Sequence, residues 1–585
     1  MCGIVGVIDN EEKALELVVS GLRRLEYRGY DSWGVGWSNN SLDIEKGLGA
    51  ISESGFDRVV GATKALGHTR WATHGEVSEA NAHPHVDCQN NLALVHNGII
   101  ENYQELKYQL EKGGHQFVSQ TDSEVVVHLI EDYLNKGNDF LKAFNYAIND
   151  LSGQFAIVVL ENKTGTLWAS RRNSPLLVGL APHKTFVASD AQAFDRSVKQ
   201  VFVPDNDQIL KIDTELKVFA EEQELKYLPR RYDGEYAESS KGSFNTFTLK
   251  EISEQPESLL AVLSRSQTDM QGIADIINNA YGLFLVGAGS AYNAGLTASY
   301  LFSRIAKKHI NISLASEFPN YEHFLTKKTV LLAISQSGET ADTLEAVRVA
   351  KAKGNKVIAL VNVKDSTLDR LADYSIPLQV GPEVGVLATK SLTGQIALLQ
   401  LLAYTIAGQF KQGKERLEEI ANQANQLLTE GILKQLKDVA HVLVKQQHLY
   451  VLGRGLNYPT ALEAALKIKE VSYIHAEAFA GGELKHGPIA LIDTGTPVVA
   501  FVARDENYES MLSNISEVKA RGAYVIGVSP LNNQVFDQWI EIPDSHDMTP
   551  ILAAIPAQLI GYFLAVEKGL NPDRPRNLAK SVTVK

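Results

Sequence analysis

Cys2 is the residue of this 585-residue sequence best placed for nucleophilic chemistry. If Met1 is removed, Cys2 carries a free α-amine beside its own thiol. The thiolate is the reactive form, and an α-amine with a pKa of about 8 can accept the thiol proton without a histidine. Position alone is weak support, because most cysteines at position 2 are ordinary residues.

Four short blocks follow in order and supply further groups suited to amide hydrolysis. They are residues 27–32 (YRGYDS), 68–75 (HTRWATHG), 96–102 (HNGIIEN) and 121–124 (TDSE). Arg70 can bind an α-carboxylate through two hydrogen bonds, and Asp122 can bind an α-ammonium group. Asn97 and the amide of Gly98 can form an oxyanion hole. On the residues alone, Arg70 could instead form a surface ion pair, and Asn97–Gly98 could be only a hairpin turn.

Short strands and helices must position these blocks. Bounded apolar runs predict strands at 3–9, 92–100, 154–160 and 166–171, and apolar residues every three or four positions predict helices at 13–25, 103–111 and 123–134. An α+β layered domain results.

The ordered blocks resemble the N-terminal-nucleophile glutaminase domain of glutamine amidotransferases, from residue 2 to about residue 220. The resemblance implies a four-layer αββα sandwich in which Cys2 attacks glutamine and forms a glutamyl thioester. It also implies that Trp71 gates an ammonia passage. The residues it assigns to glutamine binding are Arg28, which also helps to position the amino terminus, Arg70, Trp71, Thr73, His74 and Asp122.

From about residue 250 the sequence alternates apolar strands, glycine-rich turns and helices, which is typical of parallel sheets. Three landmarks recur at offsets of 166, 167 and 168 residues, so we predict two tandem copies of one nucleotide-binding-like α/β fold. The paired segments are 283–289 with 449–455, 329–334 with 496–501, and 354–361 with 522–528. A helical stretch at 415–445 joins the copies.

Hydroxyl side chains cluster after the second strand of the first copy. Ser335, Gln336, Ser337 and Thr340 precede a helix predicted to begin at Ala341. Hydroxyls and backbone amides at a helix N-terminus form an anion site that suits a phosphate. An ordinary helix N-cap is the alternative. Only the first copy keeps this cluster, and that asymmetry favours function.

The second copy is rich in groups that can move protons. Lys467 and Glu463 lie one and two helical turns before Glu470, so they can share its face. His486 follows in residues 483–488 (ELKHGP). Residues 575–584 (PRNLAKSVTV) are unlike a frayed tail. For Glu470, Lys467 and Lys580, an ordinary surface charge is the alternative.

The order of a glutaminase domain, two sugar isomerase domains and this tail resembles the family of isomerizing glutamine:fructose-6-phosphate aminotransferases over essentially the whole chain. The resemblance implies conversion of D-fructose 6-phosphate and L-glutamine to D-glucosamine 6-phosphate and L-glutamate, the first step of hexosamine (UDP-N-acetylglucosamine) biosynthesis, with ammonia channelled between the sites. It assigns catalysis on the sugar to Glu470, Lys467, His486 from a neighbouring subunit, and Lys580 as a Schiff base. It assigns sugar-phosphate binding to Ser290, Ser335, Gln336, Ser337, Thr340 and Val386.

Two positions depart from the family pattern. Ala291 and Ala388 stand where relatives usually carry hydroxyls, and each lost hydrogen bond is worth about 0.5–1.5 kcal/mol. A related amidotransferase, isomerase or deaminase acting on a different ketose phosphate is therefore the alternative. A binding protein with a degenerate isomerase half is disfavoured, because the groups that act on the sugar are retained. Trp33 is bulkier than the family's usual residue and has no functional account.

The predicted organisation is a glutaminase domain at 1–230, a linker at 231–250, and sugar isomerase domains at 251–425 and 426–585, the last with the catalytic tail. The stretch at 232–243 is polar and rich in Gly and Ser, which suits an exposed linker.

Composition excludes several classes of function. A formal net charge of −13 disfavours binding to nucleic acid or anionic membranes. No apolar run reaches the roughly 18–20 residues of a membrane span, and no basic secretory start is present, so a cytoplasmic enzyme is expected. Cys2 and Cys88 have no metal-ligand spacing around them, and His83 and His85 lack a third ligand nearby. We expect no metal or organic cofactor and, by resemblance, a homodimer.

Overall fold

The computed structural model describes residues 2–39, 41–213, 215–232 and 240–583. These residues form two compact units. Unit 1 contains the described residues up to 232 together with 579–583, and unit 2 contains residues 240–578. The middle of the predicted linker, 233–239, lies outside the described residues. The C-terminal segment, predicted as part of the last sugar isomerase domain, groups with unit 1.

Unit 1 is built from antiparallel strands and a few helices. Its elements are β1 (Gly3–Asp9), α1 (Ala14–Leu25), β2 (Ser32–Ser38), β3 (Leu42–Leu48), β4 (Lys64–Arg70), β5 (His85–Val86), β6 (Leu92–Ile100), α2 (Tyr103–Lys112), α3 (Glu124–Asn135), α4 (Phe140–Asp150), β7 (Gly153–Glu161), β8 (Thr166–Arg172), β9 (Leu177–Ala181), β10 (Lys184–Ala188), β11 (Gln200–Phe202), β12 (Ile209–Ile212), β13 (Leu216–Ala220), β14 (Gln223–Leu225) and β15 (Arg230–Arg231).

These strands form two sheets, in the orders β15-β11-β9-β10-β1-β4-β2-β3 and β14-β13-β12-β8-β7-β6-β5. Alternate side chains of a strand point to opposite faces, and β6 shows this directly. Leu92 and Leu94 pack with residues of α2, α3 and α4, whereas Ala93 and Val95 pack with residues of the first sheet. Helix α1 covers the outer face of the first sheet. The predicted four-layer αββα sandwich is confirmed.

Trp33 is a core residue of unit 1. It lies on β2, is 5% exposed, and its ring centroid is 5.2 Å from that of Phe56. Gly47 on β3 pairs with it, and a Cβ at Gly47 would lie only 2.8 Å from the indole ring. A glycine on the neighbouring strand therefore makes room for the bulky side chain, which explains Trp33 by packing.

Unit 2 contains most of the helices described. Its elements are α5 (Phe247–Ser253), α6 (Gln255–Val262), α7 (Gln267–Asn278), β16 (Gly282–Gly287), α8 (Ser290–Leu301), β17 (Asn311–Leu314), β18 (Thr329–Ser335), α9 (Ala341–Ala352), β19 (Lys356–Val361), α10 (Thr367–Leu371), β20 (Tyr374–Pro377), α11 (Lys390–Ile406), α12 (Phe410–Ala424), α13 (Glu430–Leu443), β21 (His448–Gly453), α14 (Asn457–Ser472), β22 (His475–Ala480), β23 (Pro497–Phe501), α15 (Tyr508–Lys519), β24 (Tyr524–Ser529), β25 (Gln538–Glu541) and α16 (Thr549–Glu567).

The strands of unit 2 form two parallel five-stranded sheets, in the orders β17-β16-β18-β19-β20 and β22-β21-β23-β24-β25. The two orders are equivalent strand by strand, so the predicted tandem repeat is confirmed. Helices α12 and α13 occupy the predicted helical connection between the copies.

One sequence expectation about apolar segments is wrong. The helical stretch His546–Glu567 has a mean hydropathy of 1.7 and is long and apolar enough to cross a membrane. In the structure 89% of its most apolar window is buried, and α16 packs against α13 and α14. The stretch therefore serves as a core helix of unit 2, which needs apolar residues on every side.

Candidate active sites

Cys2 lies immediately before β1 in unit 1. The backbone N–H of Trp71 donates to its Sγ at 3.3 Å, and the thiol faces the Trp71 carbonyl oxygen at 3.6 Å. Burial raises the pKa of the Cys2 thiol, while the Trp71 N–H and the charges of Arg70 and Arg28 oppose that rise. These groups stabilise the thiolate, which is the nucleophilic form.

Asn97 is held beside Cys2 by a buried histidine. His68 Nε2 lies 3.0 Å from both Asn97 Oδ1 and the His96 carbonyl oxygen, and burial lowers the pKa of His68 to about 3. Because both contacts are acceptors, the neutral ring must carry its proton on Nε2. This fixes the Asn97 amide so that Nδ2 donates to the Cys2 carbonyl oxygen at 3.0 Å.

Gly98 lies inside β6, paired with Phe155, so the hairpin-turn interpretation of Asn97–Gly98 is wrong. Its φ is 131°, and a Cβ there would lie 2.0 Å from the Gln154 carbonyl oxygen. Only glycine fits this backbone conformation and this close approach of the next strand.

Arg70 ends β4 and is 3% exposed, so the surface ion pair considered for it is wrong. Its guanidinium donates to the carbonyl oxygens of His74 at 2.5 Å, Gly75 at 3.2 Å and Glu76 at 3.2 Å. Three backbone contacts from one buried cation hold the loop that follows Trp71. The same cation contributes positive charge to the pocket.

Asp122 is 3% exposed and accepts a hydrogen bond from the Ile100 N–H at 2.7 Å. Ser123 beside it contacts His96 Nδ1 through its hydroxyl at 2.8 Å. Both residues precede α3, so the start of this helix and the end of β6 together place a carboxylate at the pocket.

Arg28 holds the amino-terminal segment from the other side. Its Nε donates to the Cys2 carbonyl oxygen at 3.3 Å, and its NH1 forms an ion pair with Asp190 at 2.8 Å. Tyr27 donates to the same Asp190 oxygen at 2.8 Å. Arg28 therefore holds the backbone of Cys2, and its part in glutamine binding stays a prediction.

These side chains line a partly open pocket in unit 1. Its lining residues are Cys2, Arg70, Trp71, Thr73, His74, His83, His96, Asn97, Gly98, Thr121, Asp122, Ser123 and Thr583. Thr583 comes from the C-terminal segment. The wall of the pocket therefore includes one residue more than 450 positions along the chain from the other lining residues.

The predicted phosphate loop of unit 2 joins β18 to α9. Ser335 Oγ accepts the Gly338 N–H at 3.0 Å and lies 3.1 Å from the Thr340 hydroxyl, and Ser337 Oγ accepts the Glu339 N–H at 3.2 Å. Helix α9 begins at Ala341 as predicted. Among the described residues the Thr340 side chain makes no capping hydrogen bond to α9, so the ordinary N-cap is wrong for Thr340.

A buried charge cluster lies on one face of α14. Lys467 Nζ contacts Glu470 Oε2 at 2.7 Å and Glu463 Oε1 at 3.3 Å, which confirms that the three share a face. Lys467 is 1% exposed. Burial lowers its pKa, but Glu470 and Glu463 together raise it by more, so the pKa of Lys467 lies above its ordinary value. From α8, Ser290 and Asn293 donate to Glu463 at 2.8 and 2.7 Å. The Ser290 hydroxyl thus joins the two sugar isomerase copies.

The structure gives local surroundings for the remaining predicted residues. Val386 donates its N–H to the Asp573 carbonyl oxygen at 3.2 Å, and His486 is exposed in a short 3-10 turn. Gln336 is half-buried in the phosphate loop. Lys580 belongs to the C-terminal segment of unit 1, so its role at the sugar stays a prediction.

Sequence reasoning missed two kinds of residue. His68 and Asn293 make buried contacts that hold Asn97 and Glu463, and Thr583 lines the Cys2 pocket. The block at 68–75 indicates glutamine binding but does not indicate a role for His68. The fold also brings Cys88 near three other potential metal ligands, which its sequence spacing does not show.

The chain resembles proteins that contain a glutamine amidotransferase domain and proteins that contain SIS domains. Sequence profiles described as "Glutamine amidotransferase domain" and "SIS domain" match residues 68–196, and residues 276–405 and 442–567, respectively. The isomerizing glutamine:fructose-6-phosphate aminotransferases of Thermococcus kodakarensis, Pyrococcus horikoshii and Thermotoga maritima are 42%, 41% and 39% identical to it, with 100% of each chain covered. The chain belongs to this family. It is thus an isomerizing amidotransferase with a glutaminase domain and two sugar isomerase domains.

A solved structure agrees for the aminotransferase's second half. The C-terminal domain of glucosamine-fructose-6-phosphate aminotransferase from Francisella tularensis is 34% identical, with a TM-score of 0.54, and is matched over 57% of this chain and 100% of its own. Tagatose-6-phosphate ketose/aldose isomerase from Escherichia coli, 19% identical with a TM-score of 0.50 over 59% of this chain and 98% of its own, shares the fold alone.

Proposed function

We propose that this aminotransferase converts D-fructose 6-phosphate and L-glutamine to D-glucosamine 6-phosphate and L-glutamate, the first step of hexosamine biosynthesis. The observation that carries the proposal is the Cys2 thiol in a pocket whose walls hold a buried cation, Arg70, a buried carboxylate, Asp122, and the amide donor of Asn97. These three groups are complementary to the carboxylate, ammonium and carboxamide of glutamine.

In unit 1, the Cys2 thiolate attacks the carboxamide carbon and forms a glutamyl thioester with loss of ammonia. The α-amine freed by removal of Met1 accepts the thiol proton and returns it to the leaving nitrogen. Asn97 and the Gly98 N–H stabilise the oxyanion. Water then hydrolyses the thioester to glutamate.

In unit 2, the hydroxyls and amides of residues 335–340 hold the sugar phosphate at the start of α9. Val386 and Ser290 complete that site, Ser290 through its place at the first residue of α8. Lys580, which groups with unit 1, is assigned by the family resemblance to form a Schiff base with the C2 carbonyl of the sugar, from which ammonia displaces the lysine. Water released in forming the imine balances the water that hydrolyses the thioester.

Glu470 moves a proton between C1 and C2 of the sugar. Its carboxylate is 21% exposed, so it can meet a ligand, whereas Lys467 and Glu463 behind it are buried. We therefore treat Lys467 as a positioning residue that fixes the carboxylate through its contact at 2.7 Å. Its role is to hold the Glu470 carboxylate in a fixed orientation.

Ammonia needs an internal route, because free ammonia is mostly protonated near neutral pH and escapes to solvent. Trp71 serves as the gate of this route. It is half-buried, and its backbone contacts the Cys2 sulfur while it lines the glutamine pocket.

The decisive experiment combines product identification with a bypass. Glutamine and fructose 6-phosphate should give glucosamine 6-phosphate, identified by mass spectrometry. Cys2→Ala should release no glutamate but should still form product when ammonium salt replaces glutamine. Product formation under that condition also shows that unit 2 of the variant is intact. Glutamate release by Cys2→Ala at the unaltered rate would refute the proposal.

The alternative of a different ketose phosphate rests on the absent side-chain hydroxyls at Ala291 and Ala388. Measuring amino-sugar formation from a panel of ketose phosphates, each supplied with glutamine, distinguishes fructose 6-phosphate from another ketose phosphate as the substrate. Amino-sugar formation from another ketose phosphate at a higher kcat/KM than from fructose 6-phosphate would favour the alternative.

We also propose a cytoplasmic homodimer in which His486 opens the sugar ring in the neighbouring subunit's site. The exposed position of His486 on its own chain supports this arrangement. Mixing inactive His486→Ala and Glu470→Gln chains should restore activity, because one site of each mixed dimer then has both groups. Mixed dimers without activity would instead assign His486 to its own chain's site.

A further inference from the structure

Four metal-ligating side chains meet in unit 1, and none of them lines the Cys2 pocket. Cys88 follows β5, His115 follows α2, and His128 and Glu131 lie one turn apart on α3. One ligand atom from each residue lies within 4.8 Å of the other three. We propose that these residues bind a Zn²⁺ ion.

Four distances within the cluster are close to those of a tetrahedral zinc site. Cys88 Sγ lies 3.7 Å from His115 Nδ1 and 3.6 Å from His128 Nδ1. Glu131 Oε2 lies 3.0 and 3.2 Å from the same two nitrogens. Ordinary zinc bond lengths at tetrahedral angles place sulfur about 3.6 Å from nitrogen, and oxygen about 3.4 Å from nitrogen. Small adjustments of these side chains therefore suffice to admit the ion.

Each histidine has a carboxylate behind it. His128 Nε2 faces Glu124 Oε1 at 3.7 Å, and His115 Nε2 faces Asp132 Oδ1 at 3.8 Å. Histidines that bind zinc commonly direct their second ring nitrogen to a carboxylate, which orients the ring and strengthens the ligand. Each histidine of the cluster thus has a carboxylate within 4 Å of its second ring nitrogen, close to this arrangement.

The ligand types select zinc over magnesium or calcium, because a thiolate and two imidazoles are poor ligands for hard cations. One thiolate and one carboxylate balance the two positive charges of the ion. The side chains of His128, Glu131 and His115 are 1%, 6% and 7% exposed, whereas Cys88 is exposed and gives an entry path. Four protein ligands make the site structural, with no open position for substrate.

The site would brace the glutamine pocket, an extension that rests on the proposed function. Glu124, behind His128, accepts the N–H groups of Val118 at 2.9 Å and Ser119 at 2.7 Å. That loop leads directly to Asp122. Zinc therefore ties the turn after β5 and the loop after α2 to the start of α3, and its loss should raise the KM for glutamine.

The first test is metal content and cobalt spectroscopy on the full chain. Protein purified without chelator should contain about one zinc per chain. After zinc removal, added Co²⁺ should give a thiolate-to-cobalt charge-transfer band. Cys88→Ser should abolish that band, while Cys2→Ala, which changes the other thiol, should keep it. Asp132→Asn should weaken zinc binding about tenfold through His115.

Two results would overturn the site: a zinc content near zero with no cobalt band, or a band that persists in Cys88→Ser. Either would leave a cluster held only by hydrogen bonds to Glu131. An unchanged glutamine KM after zinc removal would overturn only the link to the pocket. Metal content does not depend on activity, so failure of the proposed function would not be mistaken for failure of the site.

Discussion

Replacing Lys467 by methionine tests the buried charge cluster on α14. The substitution shortens the side chain by one atom and removes one positive charge that lies between Glu463 and Glu470. Because Lys467 and Glu463 are 1% and 2% exposed, water cannot take the place of the lysine at Glu463. We expect unit 2 to lose stability and Glu470 to lose its fixed orientation.

The magnitude follows from the contacts. Removing one partner of a buried ion pair costs about 3–5 kcal/mol. Glu463 keeps its hydrogen bonds from Ser290 and Asn293, so the lower end of about 3 kcal/mol is expected. With a urea dependence of about 3 kcal/mol per M, the unfolding midpoint should fall by about 1 M.

The chain offers separate probes for the two units. Four of its five tryptophans, at positions 33, 37, 71 and 168, are in unit 1, and most helices are in unit 2. The urea transition followed by far-ultraviolet circular dichroism should therefore move, while the transition followed by tryptophan fluorescence should stay.

Lys469→Met is the matched control, because Lys469 lies on the same helix and is exposed. Its midpoint should change little. If Lys467→Met lowers the midpoint no further than this control, the cluster adds no net stability and the reasoning from burial fails.

Three further results are expected. Asn97→Ala should lower the kcat of glutamate release by about 10²–10³, because it removes one oxyanion donor; a loss below tenfold would contradict that role. Ser335→Ala should raise the KM for fructose 6-phosphate several-fold in ammonium-dependent synthesis, and an unchanged KM would remove it from the phosphate site. The pKa of His68 is about 3 in the fold against 6.5 normally, so its contribution to stability is constant above pH 6.5 and is lost as the pH falls towards 3, by up to about 1.4 kcal/mol per pH unit. Urea titrations followed by tryptophan fluorescence at several pH values should show this decline, with a smaller slope in His68→Gln.

Much of the fold could be predicted because its signals are local. The strands at Gly3–Asp9 and Leu92–Ile100 have the predicted limits, since polar turn residues bound each apolar run. The near-constant offset between the two repeats predicted two copies of one fold, and the two parallel sheets have equivalent strand orders. The start of α9 at Ala341 was likewise predicted, from the hydroxyl residues that precede it.

Contacts between distant segments could not be predicted in this way. Ser290 and Glu463 are 173 residues apart, and nothing near either residue indicates the other. His115 is 27 residues from Cys88, far beyond the short spacings by which metal ligands are recognised. The role of His68 depends on the direction of one ring nitrogen in the folded interior, which is a property of packing and hydrogen bonding.

Thr583 in the wall of the Cys2 pocket has a consequence for how the enzyme is made. A ribosome adds Thr583 only after it has completed every element of unit 2, although Cys2 is among the first residues to emerge. A nascent chain therefore carries the nucleophile for most of its synthesis without the finished pocket around it.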